Sequence, residues 1–70
     1  MKITNKTMLN YDYFSDEVIL LNGVNCFYYE KCGVLDRYQI LEHGTDRLIV
    51  CSETKEELID YLISQEAEIK

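Results

Sequence analysis

The sequence predicts an α+β fold: a small antiparallel sheet of three or four strands in a meander, with one C-terminal amphipathic helix packed on one face. Three observations lead there. Short β-branched and aromatic runs alternate with turn-forming residues over 17–52, an Asn-Gly dipeptide separates the first two runs, and a helix-capping signature opens a 3.6-residue apolar period near the end. Seventy residues, with neither proline nor tryptophan, supply one core, so 1–70 is read as a single compact domain.

The first fourteen residues are assigned no element. Lys2-Ile3-Thr4-Asn5 has the composition of an edge strand, while Asn10-Tyr11-Asp12-Tyr13-Phe14 mixes turn formers with aromatics. Asn22-Gly23 favours a type I′ hairpin, because both central residues of that turn need a positive φ, and it would pair Glu17–Leu21 with the following run. A competing reading puts an N-cap at Ser15, a short helix over Asp16–Leu21 and Gly23 as its left-handed stop; the strand is preferred.

Val24–Lys31, carrying Cys26, Phe27, Tyr28 and Tyr29, reads as the next strand. The short connection through Cys32-Gly33-Val34-Leu35-Asp36 suits an antiparallel neighbour, Arg37–Glu42. His43-Gly44-Thr45-Asp46 turns the chain into Arg47–Cys51. Thr54-Lys55-Glu56-Glu57 then matches a capping box and predicts a helix from Lys55. At 100° per residue, Leu58, Ile59, Leu62 and Ile63 share one side, and Glu53, Glu56, Glu57 and Asp60 follow the i, i+3, i+4, i+7 spacing on the other.

One helix covers one face of a sheet, yet both alternating registers of these strands are apolar. Phe27 and Tyr29 alternate with Cys26 and Tyr28, Tyr38 and Ile40 with Leu41, and Ile49 and Cys51 with Leu48 and Val50. The second face is therefore expected to be covered by the N-terminal segment, by a second copy in a homodimer, or by a partner protein.

Charge narrows the function. Thirteen acidic against seven basic residues leave −6, which argues against a phosphate-tracking surface and hence against direct nucleic-acid binding. Six carboxylates against Lys55 between Glu53 and Glu68 place a local −5 there, so complementarity to a basic protein surface is the functional reading of the helix. Six tyrosines offer rigid contact area with a polar tip, and Tyr11, Tyr13, Tyr28, Tyr29 and Tyr38 join Glu53, Glu56, Glu57 and Asp60 as partner-binding candidates.

Catalytic and metal roles find less support. Cys26, Cys32 and Cys51 with His43 contain no C-x2-C pair, so no zinc site is assigned. Cys32 and His43, expected on neighbouring loops, lack a third orienting group for nucleophilic chemistry. Cys26 and Cys51, inside strands, are read as core. Asp12, Asp16 and Glu17, Glu30 with Asp36, and Glu42 with Asp46 can be written as acid–base groups, but none comes with a pocket. The three glycines stand singly in turns and form no phosphate loop, and no enzyme activity, metal or cofactor is expected. The longest apolar run, Val18–Leu21, is too short for a membrane span or an export signal, so a cytoplasmic protein with reduced thiols is expected.

The β-β-β-α order resembles double-stranded-RNA-binding and integrase arm-binding domains, but those use Lys and Arg where this helix begins with Glu53, Glu56 and Glu57, so their function does not carry over. In being short, acidic and tyrosine-rich, the chain is similar to small inhibitors from phages and mobile elements, including anti-CRISPR, anti-restriction and DNA-mimic proteins. That resemblance implies a non-enzymatic module occupying the basic surface of a nucleic-acid-processing partner. The alternative is a homodimeric assembly protein joined through the apolar sheet face.

Overall fold

The computed structural model describes residues 2–4 and 17–70. Its first hairpin turns where the Asn-Gly dipeptide predicts: strand β1 (Ile19–Leu21) pairs antiparallel with β2 (Val24–Glu30), Leu21 opposite Val24 and Ile19 opposite Cys26. Asn22 (φ 51°) and Gly23 (φ 80°) both occupy the left-handed region, as a two-residue type I′ turn requires. The competing helix is absent over 17–21. Strands β3 (Tyr38–Glu42) and β4 (Leu48–Ser52) continue the antiparallel order, each starting one residue later than the sequence suggests.

Helix α1 spans Lys55–Ser64. Thr54 is its N-cap, extended in backbone, with its hydroxyl accepting a hydrogen bond from the Glu57 amide at 3.1 Å. Leu58, Ile59 and Leu62 are fully buried. They meet Ile19, Leu21, Cys26, Tyr28, Ile40 and Ile69 in the core, and Ile3 and Ala67 complete it.

The helix is not the last element, and the strand count is five. A fifth strand, β5 (Glu68–Ile69), lies beside β1, giving the sheet order β4-β3-β2-β1-β5. Since every neighbouring pair is antiparallel, β4 and β5 run parallel, and α1 is the crossover that carries the chain from one edge to the other. Helix-period reading cannot see this because no glycine marks the stop. Instead Glu66 itself takes φ 55°, its amide donates to Ile63 O and the Ala67 amide to Leu62 O, both at 3.0 Å. This is the paired bonding of a Schellman turn, closed by the buried apolar residues Leu62 and Ala67. Beyond β5, Lys2 bridges to Glu68 and the Ile3 amide donates to Ala67 O at 3.1 Å, so Lys2 and Ile3 take an edge position.

Strict alternation fails in β4. Ile40 pairs with Val50 but Leu41 with Leu48, which leaves Ile49 as the extra residue of a bulge, and both Ile49 and Val50 pack on the core. The opposite face carries Leu20, Phe27, Tyr29, Leu41, Leu48 and Cys51, so both faces are apolar, as the strand sequences imply.

Two stability predictions follow from the helix ends. Thr54→Ala should cost about 1 kcal/mol by orphaning the Glu57 amide. Glu66→Gly should gain about 0.5–1 kcal/mol, since it relieves a left-handed non-glycine residue at the expense of some backbone entropy and of one exposed ion pair to Lys2 at 3.6 Å. Thermal denaturation of both variants checks them; an unchanged midpoint for Glu66→Gly would show that the turn is unstrained.

Candidate functional site

Amphipathicity orients α1. With Leu58, Ile59 and Leu62 against the sheet, Glu56, Glu57 and Asp60 face outward, and Glu53, just before the cap, is exposed as well. Glu56 and Glu57 sit in the first turn, where the positive end of the helix dipole favours carboxylates. The lysine of that turn forms no ion pair with them: the Lys55 ammonium lies 5.8 Å from the centroid of the Tyr38 ring, which also carries the Arg37 guanidinium at 5.1 Å. Ion pairs among the described residues are Lys2–Glu66, Arg37–Glu30 and Arg47–Glu42, and none involves Glu53, Glu56 or Glu57. The acidic run of the sequence thus divides. Glu53, Glu56 and Glu57 stand about the helix start and Asp60 in its middle, Glu66 lies past the helix end beside Lys2, and Glu68, in β5, has left the helix altogether.

The tyrosine candidates separate too. Tyr28 is a core residue, 8% exposed, because its register places it opposite Ile40 on the helix side; it is not available as a contact residue. Burial foremost, then the Glu30 carboxylate, holds its phenol well above the ordinary tyrosine range. Tyr38, on the same side, is half-buried. Tyr29 points to the opposite face and is 45% exposed. Tyr11 and Tyr13 lie outside the described residues. Sequence reasoning passed over Val34 and Leu35, 48% and 78% exposed at the tip of the β2–β3 connection. Two apolar residues between Gly33 and Asp36, in a turn with no strand register to bury them, were the available sign.

The thiols do not converge. Cys26 is buried on the helix side, Cys51 is half-buried on the opposite face rather than in the core, and Cys32 is exposed in the β2–β3 connection. His43 opens the β3–β4 turn, so it stands at the other end of β3 from Cys32, roughly 17 Å away along a five-residue strand. Its ring instead meets Phe27 edge-on at 6.1 Å. Among the described residues no three His, Cys, Asp or Glu side chains gather as a metal site.

One carboxylate from each of two of the pairs braces a turn. Glu30 accepts from Arg37 at 2.8 Å across the β2–β3 connection. Glu42 accepts from the Thr45 hydroxyl at 2.7 Å and from Arg47 Nε at 3.1 Å, and these bonds hold its carboxyl below the usual range. Asp12 and Asp16 lie outside the described residues. No helix among those described is long and apolar enough to cross a membrane.

A depressed carboxylate contributes stability that is present above its unfolded value and lost as the pH falls through its folded one. The difference in melting temperature between wild type and Glu42→Gln should therefore be largest at neutral pH and shrink as the pH falls through the carboxylate range. A gap that is constant with pH would mean that the charge of Glu42 contributes nothing. Compared with protein-family models, with curated proteins and with solved structures, the chain matches none.

Proposed function

We propose that this chain is a non-enzymatic protein-binding module whose acidic helix surface occupies a basic, nucleic-acid-binding surface of a partner, in the style of small phage and mobile-element inhibitors. The observation that carries the reading is the segregation of charge about α1: Glu56, Glu57 and Asp60 are exposed on the helix, Glu53 is exposed before its extended cap and so outside the helical spacing expected of it, and Lys55 lies beside Tyr38. Carboxylates at helical neighbour positions, about 5–6 Å apart, present a rigid row of negative charge that can stand in for backbone phosphates. Such a row raises the association rate and makes it salt-sensitive, while lasting affinity needs a few desolvated apolar anchors. Leu35 and Val34, exposed on the connection that ends beside the start of α1, supply that chemistry. The engagement of Glu30 and Glu42 in turn bracing supports binding over catalysis.

The test is a tagged pull-down from nuclease-treated lysate, with and without excess duplex DNA, comparing wild type with Glu56→Lys/Glu57→Lys/Asp60→Lys. The expected result is a nucleic-acid-processing partner displaced by DNA, bound at least about tenfold more weakly by the triple variant and with a flatter salt dependence. Unchanged binding by a folded triple variant would remove the helix from the mechanism.

A further inference from the structure

We propose that the sheet face turned away from α1 is a self-recognition surface that joins two copies of this chain back to back. Cross-strand register assembles it: Phe27, Leu41 and Leu48 form one row, Tyr29, Gln39 and Cys51 the next, and Leu20 extends the apolar strip along β1. Tyr29 and Leu48 are 45% and 49% exposed, and no described element lies over the face. Leu20, Phe27, Leu41 and Cys51 are half-buried on the same face, and apolar side chains grouped on one face of a small domain mark an interaction site.

Charge identifies the occupant. The strand carboxylates Glu30 and Glu42 fall in the helix-side register, opposite Tyr38 and Cys26, and the exposed helix acids lie on the far side of the sheet. On the outward face only Glu68 is acidic, at its margin, with Lys2 across the bridge from it. A basic partner therefore gains nothing here, whereas a second copy brings a surface equally apolar and equally neutral, and a two-fold axis makes such a surface self-complementary. Sheets pack about 10 Å apart and each helix stands a further 10 Å out, so the two acidic helices would lie on the outside of the pair, roughly 30 Å apart, several Debye lengths at physiological salt.

The face is five strands wide, about 24 Å across, and its five-residue strands run about 17 Å, so a second copy can lie over the whole of it. A chain near the lower size limit for a self-sufficient core also gains most from burying a second apolar face.

Sedimentation equilibrium or light scattering on the full chain, from low to hundreds of micromolar, tests the proposal. The expected mass is twice 8.3 kDa, unaffected or favoured by added salt and unaffected by the helix triple variant, which separates this surface from the proposed partner-binding one. Tyr29→Glu/Leu48→Glu should raise the dissociation constant of the dimer at least tenfold while circular dichroism remains that of wild type. Should that pair fail to fold, Tyr29→Thr/Leu48→Thr keeps strand propensity and should weaken the dimer in the same direction. A monomer at all concentrations, or a dimer indifferent to folded variants of both residues, would overturn it.

Discussion

The architecture depends on burying Leu58, Ile59 and Leu62 in one core with Ile19, Cys26, Tyr28 and Ile40 of the sheet. At about 1.5–3 kcal/mol per buried side chain, these three residues alone are comparable with the whole net stability of such a small domain, about 3–5 kcal/mol. Four of the five strands, β1 to β4, are joined by local connections, but two-residue and three-residue strands such as β5 and β1 have no standing without the helix above them. The contact also orients α1, and everything exposed on it follows from that orientation.

The helix has a topological role beyond covering the sheet. By crossing from β4 to the opposite edge it delivers Ala67 and Ile69 to the core and lets β5 pair with β1 while Lys2 and Ile3 cap that side. The other edge, β4, is protected differently. Its bulge at Ile49 turns two successive side chains inward and interrupts the regular ladder that an added strand would need.

Charge is distributed with the same two-sidedness. The helix side holds the exposed carboxylates, the cations gathered about Tyr38 and the ion pairs that brace the turns; the opposite face is nearly neutral and apolar. One 70-residue chain thus offers two chemically distinct surfaces, one suited to steering toward positive charge and the other to burial. Their separation by the thickness of the domain would let both proposed contacts form without mutual repulsion.

The sequence by itself determined what depends on neighbouring residues. Asn22-Gly23 meets the φ requirements of its turn, Thr54 caps the helix with its own hydroxyl, and the period of Leu58, Ile59 and Leu62 selects the buried side, leaving Glu53, Glu56, Glu57 and Asp60 exposed. Those features are set by backbone sterics, by one local hydrogen bond and by helix geometry, all within a few residues. Only the tertiary structure decided that Tyr28 is core and Tyr29 surface, that Lys55 leaves the acidic row for Tyr38, that Cys32 and His43 stand at opposite ends of β3, and that the chain after Ser64 returns as a strand. Each of these depends on register between distant segments and on which face the helix covers, and a one-residue slip would have reversed every assignment of inside and outside.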